Sequence, residues 1–332
     1  MEDQTKNESL SFERNQSELL WIAEKVSELR KEISKHVIGQ EHIVELILAG
    51  IFSNGHVLLE GVPGVAKTLS AKIIAHLLKV DFSRIQFTPD LMPSDVIGTS
   101  VFHMKDSRFI FNKGPVFSNV VLIDEINRAP AKTQAALFEV MEERQITFDG
   151  VQYPMEFPFL VIATQNPIEQ EGTYNLPEAQ LDRFIFKIKM DYPSLDEEAQ
   201  ILTRFKSSSG PLDMKAIPSL FSAEDIGRVH QLMNAMVVEP SLIHYIAAIT
   251  HRTRSHARLY LGASPRASLS MLRAGKAIAA LRGRDFITPD DIQYVAIPVL
   301  RHRIILTPEA EMEGVSTDEI IQQILSEIEI PR

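Results

Sequence analysis

The sequence contains no cysteine and a single tryptophan among its 332 residues. The lack of thiols excludes disulfides, cysteine-ligated zinc or iron–sulfur centres and thiolate nucleophiles. It fits a reducing compartment, and the cytoplasm is the expected location. Glycine and proline number only 15 and 18, too few for a collagen-like or low-complexity chain. Long apolar runs are also missing. Runs such as Val120 to Ile123 and Phe157 to Ala163 are far short of the ~20 residues that cross a bilayer, so no membrane insertion is expected. The first fifteen residues, MEDQTKNESLSFERN, lack the apolar stretch of a secretory signal, and residues 1–16 are expected to form a disordered tail. Basic residues are outnumbered, 34 Lys and Arg against 44 Asp and Glu for a formal charge of −10. The chain as a whole therefore repels nucleic acid, and any such binding would need a local basic patch.

What is present is an ordinary globular composition, 45% hydrophobic and 23% charged, at a length suited to two domains. Leu19, Ile22, Ala23, Val26, Leu29 and Ile33 recur at helical spacing, as do Ile43, Leu46, Ile47 and Ile51. The run His56 to Glu60 (HVLLE) then reads as a strand, followed by a glycine turn and a helix from Leu69 to Lys79. Four more short β-like runs at Arg84 to Phe87, Val120 to Ile123, Phe159 to Thr164 and Phe184 to Ile188 complete five core strands. Helical or loop segments separate them, as a covered parallel sheet requires. Val101 to Phe111 and Gln145 to Pro158, the latter with Asp149-Gly150, predict two projecting hairpins. Beyond Tyr192-Pro193-Ser194 the patterns are helical: Leu195 to Lys206, Ala223 to Ala235, Ser241 to Arg254, Ala267 to Arg282 and Pro289 to Leu300. The expected division is an α/β core over residues 17–193 and a smaller all-helical domain over 194–332. The last helix should dock by Ile320, Ile321, Ile324, Leu325 and Ile328.

Three strand ends carry the chemistry. The loop Gly61-Val62-Pro63-Gly64-Val65-Ala66-Lys67-Thr68 lies between a strand and a helix, where backbone N–H groups and the helix N-terminus can cradle phosphates. Lys67 would reach the β- and γ-phosphates, and the Thr68 hydroxyl would face Mg²⁺. Ala66 stands where the usual pattern has glycine, so that position must adopt a conformation open to an L-residue. The buried run Val120 to Ile123 ends in Asp124-Glu125, two carboxylates that are costly there unless a cation or water lies beyond them. Because successive strand side chains point opposite ways, Asp124 can hold the metal's water shell while Glu125 polarises an attacking water. Ala163-Thr164-Gln165-Asn166-Pro167 closes another strand with an amide that can hold water or γ-phosphate. Two arginines stand at other junctions: Arg183 in LDRF and Arg266 in GASPR.

These motifs in this order resemble the AAA+ ATPases over about residues 35 to 305. GVPGVAKT, LIDEINRAP, ATQNPIEQEGTYNLPEAQLDRF and GASPRAS resemble the MoxR family in particular. The resemblance implies an AAA+ core with a phosphate-binding loop, two inserted hairpins and a helical lid, assembled into hexameric rings. ATP and Mg²⁺ are the implied ligands. Gly61, Pro63, Gly64, Val65, Ala66, Lys67, Thr68 and Leu69 would contact the nucleotide, Gly39 and Gln40 would line the adenine pocket, and Thr68 and Asp124 would hold the metal. Glu125 is then the catalytic base, Asn166 sensor 1, Arg183 the finger reaching a neighbouring subunit's γ-phosphate, and Arg266 sensor 2, in cis or in trans. Arg128 in Ile126-Asn127-Arg128 is a rival finger. The implied role is remodelling or maturation of client proteins, with partners that carry a von Willebrand factor A domain.

Two other readings compete. A nucleic-acid motor would use the hairpins, with Lys105, Arg108 and Lys113, or the basic stretch His251, Arg252, Arg254, His256 and Arg258; the net acidity opposes it. A nucleotide-gated switch without turnover would not need the full set Lys67, Thr68, Asp124, Glu125 and Asn166. His36, His42 and His56 lack metal-ligand spacing and read as packing or capping residues.

Overall fold

The computed structural model describes residues 2–62, 67–105, 107–167, 173–207 and 213–331. The chain runs through β1 (His56–Gly61), β2 (Phe82–Gln86), β3 (Gly98–His103), β4 (Arg108–Lys113) and β5 (Val120–Asp124). It continues with β6 (Gln145–Phe148), β7 (Val151–Pro154), β8 (Leu160–Gln165) and β9 (Phe184–Met190). Five of these form one sheet in the order β2-β5-β8-β1-β9, and all its pairings are parallel. The five core strands fall where the hydrophobic runs predict them.

Strand alternation divides the sheet residues between two apolar layers. Val57, Leu59, Val120, Leu122, Leu160 and Ile162 join one cluster with the helices Glu41–Phe52 and Lys67–Leu77. Leu58, Val121, Ile123, Val161 and Ala163 join the other, against Leu137, Phe138 and Met141 of the helix Ala131–Glu143. Every residue of β5 is buried, including Asp124 at its end. Both projecting hairpins are present: β3 pairs with β4 and β6 with β7, each antiparallel. The second closes through Asp149 and Gly150, both at positive φ, as a two-residue turn of this handedness requires.

After β9 the chain is helical, with Leu195–Ser207, Ala223–Ala235, Pro240–Arg254, Pro265–Leu281, Pro289–Leu300 and Thr317–Glu327 as its longer helices. Ser222, Thr288 and Ser316 start three of them with reciprocal capping boxes. The last helix buries Ile320, Ile321 and Ile324, so it docks by the predicted face. The second region is helical as expected, with one short ladder added. β10 (Leu259–Leu261) pairs antiparallel with β11 (Ile305–Leu306); a ladder this short, joined across some forty residues, is too brief for alternation to register in sequence. The first helix runs Glu2–Ser34, with residues 2–16 as the continuation of its anchored part. Once Ser17–Ser34 is anchored by Leu19, Ile22, Val26, Leu29 and Ile33, adding residues to an existing helix avoids the nucleation cost. No helix among the described residues is long and apolar enough to cross a membrane.

Candidate active site

In a parallel sheet all strands end at one edge, and here β1, β8 and β5 lie side by side. The phosphate loop after Gly61, Asn166 after β8, and Asp124-Glu125 at the end of β5 are therefore brought together. Pro63, Gly64, Val65 and Ala66 lie outside the described residues. On either side of them, β1 ends at Gly61 and the next helix starts at Lys67, with Thr68 and Leu69 in its first turn. Lys67 Nζ donates to the Gly61 carbonyl at 2.5 Å, which folds the lysine back toward the end of β1. Gly61 is also needed for packing, since a Cβ there would sit 2.6 Å from the Met190 carbonyl of β9.

Asp124 is 7% exposed. Its Oδ2 lies 2.6 Å from Arg84 Nε, and its Oδ1 accepts the Thr164 hydroxyl at 3.2 Å. The same hydroxyl oxygen accepts the Glu125 N–H at 3.0 Å, so one threonine on β8 holds both acidic residues. Glu125 has φ 57° and ψ 55°, a left-handed conformation that costs a non-glycine residue energy and turns the chain sharply after the strand. Its carboxylate accepts from Gln86 Nε2 at 2.8 Å and lies 3.2 Å from Arg128 Nε. Arg128 thus faces its own glutamate. The Thr68 hydroxyl and the Asp124 carboxylate are hard oxygen donors of the kind Mg²⁺ takes, so these residues fit that ion. Asn166 is buried at the end of β8.

Beside the first turn of the phosphate-loop helix lies a cavity of about 450 Å³, within the range that holds a small ligand. Gly39, Gln40 and Leu69 line it, together with Val37, Tyr192 and Ile201. Gly39 has φ +73°, which favours glycine. Gln40 Oε1 accepts the Ser70 hydroxyl at 3.3 Å, tying the cavity wall to that helix. Sequence reading missed Tyr192 and Ile201, because they sit at the expected domain junction and carry no motif. His36 and His42 also line the cavity. His56 is far from it, at the start of β1, with Nε2 against the Met141 carbonyl and Nδ1 accepting the Val161 N–H. No group of three His, Cys, Asp or Glu among the described residues could hold a metal ion.

Arg183 and Arg266 are elsewhere. Arg183 immediately precedes β9, whose Phe184 pairs with His56 at the start of β1, whereas Met190 pairs with Gly61 at its end. At 3.3 Å per residue the start of β1 is roughly 16 Å from its phosphate-loop end, beyond the reach of one side chain. Arg183 and Arg266 meet instead around Glu142, whose Oε2 lies 3.3 Å from Arg183 Nε and 2.6 Å from Arg266 Nη2. Hydrogen bonding from Arg266 holds the Glu142 carboxyl below its ordinary pKa. Both arginines line a separate cavity of about 320 Å³ with Arg144, Arg273 and Arg303. Nothing in the sequence marks Glu142, one of three adjacent polar residues at a helix end, as the meeting point. Thr164, Arg84 and Gln86 were missed for a similar reason. They act across strands, and sheet order is not written in local pattern.

Two family models match the chain: the ATPase family associated with various cellular activities (AAA) over residues 56–186, and the AAA lid domain over 251–324. Chaperone MoxR1 of Mycobacterium tuberculosis is 44% identical over 310 residues, covering 91% of this chain and 81% of that protein. Protein MoxR of Methylorubrum extorquens is 31% identical over 332 residues, covering 91% and 94%. A crystal structure of a Cytophaga hutchinsonii protein assigned as an ATPase matches with a TM-score of 0.89 at 42% identity, over 97% of this chain and 100% of that one.

Proposed function

This chain belongs to the MoxR family of AAA+ ATPases, and from that premise we propose that it hydrolyses ATP as a ring of its own copies, hexameric, with each active site divided between two subunits. The observation that carries this reading is the separation just described. The phosphate loop and the acidic pair occupy one edge of the sheet, while Arg183 and Arg266 occupy the other. A single chain is then an incomplete catalyst, and a neighbour must bring its arginine edge to the nucleotide.

In this scheme the cavity lined by Gly39, Gln40 and Leu69 takes the base, and Lys67 with the loop N–H groups takes the phosphates. Thr68 and Asp124 would hold Mg²⁺, which when bound would supply charge neutralisation for the phosphates. Glu125 accepts the proton of the attacking water, and Asn166 orients that water. Arg183 stabilises the charge that develops on the γ-phosphate, with Arg266 beside it. A finger from a neighbour is worth ~10³ to 10⁵ in rate, and 10³ corresponds to about 4 kcal/mol. Arg128, within ion-pair distance of its own Glu125, is less suited to that role. Glu142 supplies the arginine pair with a counter-charge within the single chain.

The work done is remodelling or maturation of client proteins, with adaptors carrying a von Willebrand factor A domain as partners. Nucleic acid is not the favoured substrate. In the basic stretch Arg252 pairs with Glu327 at 2.7 Å and Arg258 with Glu313 at 3.3 Å, so the acidic C-terminal segment already answers those charges. The test is ATP hydrolysis per subunit against protein concentration, in the native chain, Arg183→Ala and Glu125→Gln. Specific activity should rise with concentration, and each substitution should abolish it without unfolding the protein. A concentration-independent rate that survives Arg183→Ala would overturn the divided site, and absence of turnover in the assembled native ring would favour the switch.

A further inference from the structure

The helix Pro289–Leu300 is followed by Arg301-His302-Arg303, and Arg303 carries its charge into the interior, with its side chain 2% exposed. Its Nε donates to Asp182 Oδ1 at 2.6 Å. Its Nη2 donates to the Asp182 carbonyl at 3.1 Å, the Phe184 carbonyl at 2.6 Å and the Ser270 hydroxyl at 3.3 Å. Its Nη1 donates to the carbonyls of Ile185 at 3.2 Å and Val299 at 2.5 Å. His302 Nε2 adds a contact to the Phe184 carbonyl at 3.0 Å.

The pattern of acceptors is specific. Arg303 holds the backbone on both sides of Arg183, at Asp182 and at Phe184. Through Ser270 it also reaches the helix Pro265–Leu281, one turn beyond Arg266. A planar guanidinium is the side chain that can take acceptors in several directions at once. Burial of the arginine is by itself weak evidence for a gain in stability, since apolar packing of similar volume often stabilises as well. Burial pulls the Arg303 pKa down to about 10, and the Asp182 carboxylate opposes that shift.

We propose that Arg303 is a positioning residue, a buried clamp from the helical region that fixes the backbone on either side of Arg183 and sets it in register with Arg266. The proposal rests on the reading of Arg183 as the group that acts on a neighbouring subunit's nucleotide. It follows that movement of the helical region on its own nucleotide is passed directly to the arginine offered to the next subunit.

The experiment compares Arg303→Lys, which keeps the charge but loses the fork, and Asp182→Asn, which keeps the shape but loses the anion. Folding is checked by thermal unfolding, and binding of a fluorescent ATP analogue is measured on dilute subunits. Each folded variant should bind the analogue as the native chain does, while turnover in the assembled ring falls roughly 10- to 100-fold, the scale for misplacing a catalytic group by about 1 Å. Subunits are then mixed before assembly. Arg303→Lys with Glu125→Gln should regain turnover, because the intact arginine of one subunit completes the intact carboxylate site of the other. Arg183→Ala with Glu125→Gln is the control. If the control mixture recovers and the Arg303→Lys and Asp182→Asn mixtures do not, or if both variants turn over at the native rate, the clamp is refuted. If the control fails as well, the divided site itself is wrong, and the clamp falls with it.

Discussion

Replacing His56 by glutamine should flatten the acid limb of this protein's stability curve. His56 is buried at the start of β1. Its Nδ1 accepts the Val161 N–H at 3.0 Å, so Nε2 carries the only proton and donates to the Met141 carbonyl at 3.1 Å. A second proton would break the Val161 bond. Burial first, and then the nearby Arg144 guanidinium, push the His56 pKa from its ordinary 6.5 down to about 3. The sign follows. Above about pH 6.5 both folded and unfolded chains hold His56 neutral, and the full stability is present. As pH falls from there towards 3, the unfolded chain gains a proton that the folded chain refuses, and stability is lost. The loss approaches about 1.4 kcal/mol per pH unit, or roughly 2 kcal/mol between about pH 7.5 and about pH 5 from His56 alone. Glutamine offers an NH₂ group to donate and a carbonyl oxygen to accept, and it does not titrate. Urea unfolding of the native chain and His56→Gln at several pH values measures the difference directly, because every other titrating group, including the buried His302, is common to both. A fixed offset at neutral pH is acceptable. Equal slopes in the two proteins would refute the account of His56 as a neutral, doubly bonded imidazole.

Two further outcomes follow from the nucleotide edge. Gly39→Ala places a Cβ at φ +73° and against the Glu197 carboxyl, at a strain of about 1 to 2 kcal/mol; if that strain is relieved by distorting the cavity, ATP binding weakens by about tenfold. Unchanged affinity in a nucleotide titration would remove Gly39 from the base site. Thr164→Val removes the hydroxyl shared by Asp124 and the Glu125 N–H, leaving that N–H unpaired at about 1 to 3 kcal/mol. Turnover should fall by about tenfold or more with ATP affinity nearly held, and a native kcat in the folded variant would show that Thr164 does not set the carboxylates.

The legible part of the molecule was the part written in short range. Val120 to Ile123 read as a buried strand because each residue is apolar, and β5 is buried on both faces. Asp149-Gly150 read as a tight turn because few residue pairs accept positive φ twice. The β10–β11 ladder and the helical start at Glu2 were not legible, the first because two or three residues carry no period, the second because residues 2–16 have no apolar face of their own. At the candidate site, Lys67, Thr68, Asp124, Glu125 and Asn166 were legible as candidates because each sits at the end of a recognisable strand or the start of a helix. Arg84, Gln86 and Thr164 were not, since each meets the acidic pair from a different strand.

By itself, then, the sequence determined the α/β alternation, the phosphate loop, the family and the residue types available for hydrolysis, all of which depend on neighbours along the chain. Only the tertiary structure decided where the arginines stand. Arg183 and the phosphate loop are joined to adjacent parallel strands, β9 and β1, yet they lie at opposite edges because one precedes its strand and the other follows. Strand direction and order, set by burial of both sheet faces, put Arg183 with Arg266 and Glu142 on one side and Asp124 with Glu125 on the other.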